Sequence, residues 1–359
     1  MASMTGADGC VVGGVDAHAD NHVVAALDAR GRLLGTQAFA ATSAGYHGLL
    51  EWLERFGEVE VVGVESTGAY AAALVRYLRG CDVAVIEVNR PHAHARRRRG
   101  KSDPLDAELA ARAVLAGDAR AIAKTTDGIV EAIRQLRVAR ESAIKARSAA
   151  LSQLAGLLVS APVGLREQLS TRSSTRAKAT LCARLRPDPA AIEDPAQAAK
   201  LALRSLARRI KLLEREIAEL DHHLGPLVAS AAPRTTKLLA VSTGHAGQLL
   251  VTAGENIDRL HSEAAFAALC GTSPISASSG RATRHRLNYG GDRHANRALY
   301  MIAVCRLRYC PRTRAYAQRR SSQGKTKPEI IRCLKRYIAR EIYHTLHADL
   351  TDLATPTHP

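Results

Sequence analysis

Residues 11–116 carry an order of apolar runs that few folds accommodate. Three short runs come first, 11–16 (VVGGVD), 22–28 (HVVAALD) and 33–39 (LLGTQAF), with the turn signal ARGR between the last two. Such runs, bounded by turn residues, read as three consecutive strands in a meander. Thr42 or Ser43 then caps a helix whose Leu49, Leu50, Trp52 and Leu53 form its buried side. Residues 59–65 (VEVVGVE) make a fourth strand, near-continuous in apolar residues and so expected to be buried on both faces. A helix over 69–78 stops at Gly80, and 83–88 (VAVIEV) is a fifth strand. GKSDPLDAELAA, residues 100–111, then opens a helix running to about residue 116, with Ser102 and Pro104 as start signals.

Acids stand at three points of this order. Asp16 ends the first strand, Glu65 ends the fourth, and Asp103 and Asp106 share a face of the last helix at i, i+3. Three meander strands followed by helix, strand, helix, strand, helix match the ribonuclease H-like layout, whose central acids project from strand 1, strand 4 and a late helix. Carboxylates packed within a few Å repel, and one is driven to protonate unless a cation is near. Hard oxygen donors, no histidine or cysteine partner and the upstream basic run Arg96, Arg97, Arg98, Arg99 and Lys101 suggest Mg²⁺ beside a phosphate. Two metals held by such acids clamp a phosphodiester, activating an attacking oxygen and stabilising the leaving one. The blander alternative is acids that end strands at turns and complement a helix dipole.

Charge points to the same partner. Lys and Arg number 51 against 34 Asp and Glu, a net +17, so a polyanion is the expected partner. Aromatics at 4% argue against a base-stacking platform of the kind single-strand binders use. No apolar run approaches the ~20 residues that span a bilayer, and MASMTGADGC lacks the basic start and apolar stretch of a signal peptide. Seven scattered cysteines without a CxxC read as free thiols in a reducing cytosol.

Beyond residue 126 the pattern turns helical. Residues 127–158 are Ala-rich and basic, and Ser/Pro/Gly-rich breaks from Ser160 onward read as an irregular connection. Leu203, Leu206, Ile210, Leu213, Ile217, Leu220 and Leu224 then form a heptad seam. Its partner is either the 127–158 helix, in an intramolecular hairpin, or a second copy of the chain. A C-terminal region begins at Pro233: helix, Gly-containing turn and helix over 237–251, a short helix over 264–270, then loop and an Arg-rich helix over 271–310. The last helix, 327–346, has Ile330, Ile331, Leu334, Ile338 and Ile342 as its core face, and residues 347–359 read as a fraying tail. The expected divisions are 1–125, 126–230, 231–349 and a tail at 350–359. Within the last region Ser278-Ser279-Gly280 precedes Arg281, Arg284, His285 and Arg286. Alone, such a stretch is a flexible loop; a serine becomes a nucleophile only where a base or metal activates it and donors hold the phosphate. Arg293, Arg297, Arg306, Arg308, Arg312, Arg314, Arg319, Arg320, Lys325 and Lys327 are expected to form a basic surface for phosphates.

Taken together, GVDAHAD around Asp16, VESTGAY around Glu65, KSDPLDAELAA around Asp103 and Asp106, and LCGTSPISASSG with the following RHRLNYGGDRHANRAL resemble the DEDD transposases of insertion sequences. The resemblance covers nearly the whole chain. That family joins a RuvC-like N-terminal domain to a C-terminal serine domain, and its better-studied members are RNA-guided bridge recombinases. The resemblance implies an α/β plus α chain: a RuvC-like (RNase H-fold) domain, a helical coiled-coil middle region and a mainly α serine domain. It implies that Asp16, Glu65, Asp103 and Asp106 form the Mg²⁺ site and that a serine attacks DNA to give a transient phosphoserine link. In the family this serine precedes a glycine, five residues after a proline; counting from Pro274 selects Ser279, with Ser278 second. Arg96 to Arg99, Lys101, Arg281, Arg284, Arg286, Arg293 and Arg297 are then the expected nucleic-acid contacts. Implied partners are donor and target DNA, a noncoding bridge RNA, and further copies of the chain: dimers through the helical middle region, pairing into a tetramer at the synapse. The acids of one protomer would work with the serine of another, and the expected location is the bacterial cytoplasm, at the nucleoid when bound to DNA. The stretch LLAVSTGHAGQLL departs from the family's Gly-rich LxGVGPxTA hairpin, which resembles a helix-hairpin-helix DNA contact. Two rivals use fewer of these features: a structure-selective nuclease of the Holliday-junction resolvase kind, needing only the acids, and a non-catalytic nucleic-acid-binding protein, needing only the charge.

Overall fold

The computed structural model describes residues 9–65, 70–88, 102–171, 173–278 and 285–355. The chain divides into two compact units, Met1–Glu131 with Leu250–Pro359, and Ala132–Leu249.

The first unit is built on a six-stranded mixed sheet. Strands β1 (Cys10–Ala17), β2 (Asn21–Asp28) and β3 (Leu33–Ala40) form the antiparallel meander. Helix α1 (Ser43–Glu54), capped by Thr42, leads to β4 (Glu58–Glu65), which pairs parallel to β1. Helix α2 (Ala72–Gly80) leads to β5 (Ala84–Val88), parallel to β4, and α3 (Asp103–Leu115) follows. A short strand β6 (Ala121–Ile122) closes the sheet antiparallel to β5, in the order β3-β2-β1-β4-β5-β6. This is the RNase H-like α/β arrangement; the order of apolar runs anticipates β1 to β5 and α1 to α3, while the two-residue closing strand β6 is unanticipated. Leu49, Leu53, Leu74 and Leu78 of α1 and α2 pack on Val15, Val24, Val62 and Val64 from one face. Helix α3 covers the other, its Ala107, Ala110 and Ala111 among Val12, Ala25, Leu27 and Val88. Contrary to expectation β4 is fully buried only over Val62, Gly63 and Val64; its first half, with Glu58 and Glu60, meets solvent.

The C-terminal segment rejoins this sheet at its β6 edge. Arg259 donates to Ile122 O and pairs with Glu87 (3.1 Å), Asn256 donates to Ala123 O (3.2 Å), and Lys124 donates to Val251 O (2.7 Å). Residues far apart in sequence thereby belong to one unit. Beyond this seam, α9 (Glu263–Leu269), the hairpin β7 (Ile275–Ser276) and β8 (His285–Arg286), α10 (Arg293–Tyr309) and α11 (Pro311–Ser322) precede α12 (Lys327–Ala354). The last helix runs past residue 346 to Ala354 because its stripe continues: Leu346 and Leu350 are fully buried after Ile330, Leu334, Ile338 and Ile342.

The second unit is helical. Helix α4 (Ile129–Ser160) supplies Ala150, Leu154 and Leu158 to a core shared with Leu203, Ala207 and Ile210 of α7 (Pro195–Ala231). Farther along, Arg140 of α4 grips Asp221 of α7 with both guanidinium arms, 2.5 and 3.1 Å. The two pairings run in opposite directions along the helices, so the heptad seam meets α4 as an antiparallel hairpin. The connection expected to be irregular instead holds α5 (Val163–Leu169) and α6 (Thr175–Cys182), whose Leu165, Leu169, Ala179 and Cys182 fill the same core. Residues 243–253 form one helix, α8 (Thr243–Ala253), rather than helix, turn and helix. Arg137 accounts for this: it donates to Gly244 O (2.8 Å) and to Gln248 Oε1 (2.8 Å), holding the glycine-bearing turns in the helix. Among the described residues no helix is long and apolar enough to cross a membrane, and all seven cysteines are free.

Candidate active site

Strand pleating decides which side chains can meet. On β1, Val11 and Val15 face α1 and α2, while Val12, Gly14 and, two residues on, Asp16 face α3. On β4, Val62 and Val64 take the first face, and Val61, Gly63 and Glu65 alternate to the second. Gly14 and Gly63 are partners in the parallel ladder. A Cβ on Gly14 would sit 2.1 Å from Ala107 O and 2.4 Å from Ala111 N; one on Gly63 would sit 2.8 Å from Ala110 O. With no side chain there, the α3 backbone lies directly on the sheet. Arg112 ties the helix down, donating to Glu108 (2.7 Å) and Gly31 O (2.9 Å). One helical turn back from Ala107 is Asp103, and two strand residues on from Gly14 is Asp16; each step covers about 6 Å. The two acids therefore arrive at the same place. Ser102 holds the extended cap position of α3 with Pro104 in the first turn, although its hydroxyl makes no cap bond.

Between those acids stands a residue the sequence reading passed over. His18 Nε2 lies 3.2 Å from Asp16 Oδ2 and 3.5 Å from Asp103 Oδ2. Asp16, His18 and Asp103 offer ligand atoms that all lie within 4.8 Å of one another. The expectation of a site without a histidine partner is thus corrected. The signal was present: His18 follows Asp16 by two, the spacing that returns an extended chain to the same face. Asp106 is buried, 2% exposed, and its charge acts on Asp16. The register Val15↔Val64 sets Glu65 beside Asp16 on the neighbouring strand. Among the described residues Glu65 and Asp106 stand outside the tight ligand set.

Burial pushes the Asp16 carboxyl above its ordinary range; His18 draws it down, and Asp106 and Asp103 push it up. A divalent cation would offset that repulsion, and the carboxylate oxygens suit Mg²⁺ or Mn²⁺.

At the other end of the chain, the loop between β7 and β8 is clamped at its base. Asn296 donates to Cys270 O (3.0 Å) and Gly271 O (2.8 Å), and Lys335 donates to Asn296 Oδ1 (2.8 Å). Asp292 N donates to Leu269 O (2.7 Å), while the Asp292 carboxylate caps α10 through His294 N (2.7 Å) and accepts from Thr252 (2.6 Å). Gly271 has φ +63°, and a Cβ there would lie 2.4 Å from Gly290 O. The LCGTS and GGDRHAN segments are therefore the two sides of one clamp. Ser276 and Ser278 lie just beyond it, their hydroxyls 3.2 Å apart. Ser279 lies outside the described residues, as do Arg96, Arg97, Arg98, Arg99, Lys101, Arg281 and Arg284. Arg286, Arg293 and Arg297 are exposed. Arg306, expected on the basic surface, is buried and paired with Glu341 (2.5 Å).

Two family models match the chain. One, described as a transposase of the IS110 DEDD type, covers residues 13–161; the other, described as the transposase IS116/IS110/IS902 family, covers residues 236–318. The chain belongs to the IS110 family of transposases. It is a DNA transposase, and DNA is its substrate. The first match takes in the sheet and α4, the second the clamp and α10; α5, α6 and α7 fall between them. No curated protein matches the chain.

Proposed function

We propose that this transposase cuts and rejoins DNA strands at an insertion-sequence end, with Asp16, Glu65, Asp103 and Asp106 as a divalent-metal site and Ser279 as the nucleophile. The observation that carries the reading is the meeting of Asp16 and Asp103 beside His18, in a chain whose two matched segments belong to one transposase family. A bound Mg²⁺ would supply Lewis acidity to a phosphodiester oxygen. Asp16 and Asp103 would ligate, Glu65 and Asp106 would complete the negative field, and His18 would hold the two aspartates in register.

In the strand-transfer step the Ser279 hydroxyl forms the new P–O bond and gives up its proton. The bond from phosphorus to the deoxyribose oxygen breaks, and that oxygen leaves with the electron pair and takes up a proton. The phosphoserine keeps the energy of the diester, so a hydroxyl on another strand can reverse the step without a cofactor. Arg96 to Arg99, Lys101, Arg281, Arg284, Arg286, Arg293 and Arg297 would hold backbone phosphates. A bridge RNA would choose donor and target by pairing while the protein supplies chemistry. Further copies of the chain, dimers paired into a tetramer, would bring the acids of one protomer to the serine of another. With the element's end and its RNA supplied, Mg²⁺-dependent strand cleavage should fall by about 10³-fold in Asp16→Asn. Undiminished cleavage in that variant would remove the acids from the reaction.

A further inference from the structure

Beside strand β8, the end of α11 and the first turns of α12 enclose a cleft of about 970 Å³. Arg286, Arg320, Lys325, Arg332 and Lys335 line it. Its two carboxylates are already committed. Glu263 pairs with Arg336 (3.0 Å) and Arg340 (3.1 Å), and Glu329 accepts from the Thr326 amide (2.9 Å) and hydroxyl (2.8 Å). Lys335 is the unusual member. It is only 5% exposed, and its one hydrogen-bond partner among the described residues is the neutral Asn296 Oδ1 at 2.8 Å. An ammonium offers three donors, and a buried charge is costly when it lacks a counter-charge. Burial and the neighbouring Arg332 both push the Lys335 ammonium below its ordinary range, as an uncompensated cation requires.

We propose that this cleft is a phosphodiester-binding site, in which a backbone phosphate of a nucleic-acid strand completes Lys335 and is flanked by Arg332 and Lys325. The ligand is an anion because cations outnumber carboxylates in the cleft: Glu263 is paired with Arg336 and Arg340, and Glu329 is held at the start of α12 by Thr326, which leaves Arg286, Arg320, Lys325, Arg332 and Lys335 in excess. It is a strand because the volume exceeds what a lone phosphate fills and because exposed Tyr337 and Leu287 offer apolar surface beside the cations. Lys335 also holds Asn296, which holds the base of the serine-bearing loop, so occupation of the cleft is coupled to the clamp. The proposal deepens the transposase reading and rests on it only for the source of the strand.

The test is binding without chemistry. Duplex DNA, single-stranded DNA and RNA of equal length are titrated against the full-length protein in EDTA over a range of salt. Lys335→Gln keeps a donor for Asn296 and loses the charge. It should bind about tenfold more weakly, with a salt slope shallower by about one; whichever arm loses affinity identifies the strand. Wild-type affinity and slope in all three arms, with a native circular dichroism spectrum, would overturn the proposal. If Lys335→Gln does not fold, Arg332→Gln and Lys325→Gln on the accessible wall decide the matter: each should lower the slope by about one, and two unchanged slopes overturn it. Cleavage assays fail separately. Lost cleavage with Lys335-dependent binding intact speaks against the transposition chemistry, and cleavage with Lys335-independent binding speaks against the cleft.

Discussion

The acid end of the sheet and the cationic cleft beside β8 are opposites built on one principle. At the first, burial gathers Asp16, Asp103 and Asp106 around one imidazole, and Asp16 is pushed up by burial and by its two neighbouring carboxylates. At the second, burial isolates an ammonium, and Lys335 is pushed down. One asks for a cation and the other for an anion, and a metal-dependent enzyme acting on a polyanion needs both. They differ in how they are held. The acids sit on a strand and a helix that are pressed together through Gly14 and Gly63, so backbone contact sets their spacing. The cleft depends on a chain of side-chain bonds from Lys335 through Asn296 to the loop base.

That contrast can be broken at either end. The largest effect is expected from Gly14→Val, which drives a side chain into the α3 backbone. It should cost ~1–3 kcal/mol in thermal or denaturant unfolding and at least about a hundredfold in strand cleavage through misplacement of Asp103; a variant with native stability and cleavage would show that α3 does not rest on that glycine. Next comes His18→Ala, for which Mn²⁺ affinity by calorimetry should fall about 10–100-fold while the fold persists. Unchanged affinity would remove His18 from the site. The smallest effect sharpens the cationic side. Arg336 holds the Glu263 carboxyl below its ordinary range. Glu263→Gln should release Arg336 and Arg340 to the cleft and steepen the salt slope of DNA binding by about one or two. A flat response would mean that those arginines do not reach the strand.

The sheet was legible because each of its signals is local. VVGGVD and VEVVGVE display strand length, face and terminal acid within a few residues, and DPLDAELAA announces both a helix and its acids. His18 stands within GVDAHAD, and the strand pleat, more than residue type, marks it as a neighbour of Asp16. The heptad of α7 left two partners open, and only the position of α4 shows the hairpin. Residues 160–195 read as an irregular connection because SAPVGL, STRSSTR and RPDPAAIEDP punctuate the stretch, yet a few apolar side chains sufficed to fold α5 and α6 onto that hairpin. Lys335 and Arg306 were the least legible. Each is a basic residue in a basic helix, and only spacing hints at burial: Lys335 stands four residues after Ile331 and three before Ile338, and Arg306 four after Ile302. Their environment comes from α9, α10 and α12 packing together, contacts that span tens of residues of chain.

The most direct test of the whole account is to trap the strand-transfer intermediate. Wild-type protein, with the element's own end, its adjacent RNA and Mg²⁺, is quenched under denaturing conditions, and the DNA-linked peptide is sequenced by mass spectrometry. The account predicts a phosphodiester on Ser279, absent in Ser279→Ala and in Asp16→Asn, with Ser279→Ala still binding DNA. Cleaved DNA with free ends and no linked peptide, or an adduct that survives Ser279→Ala, would contradict it.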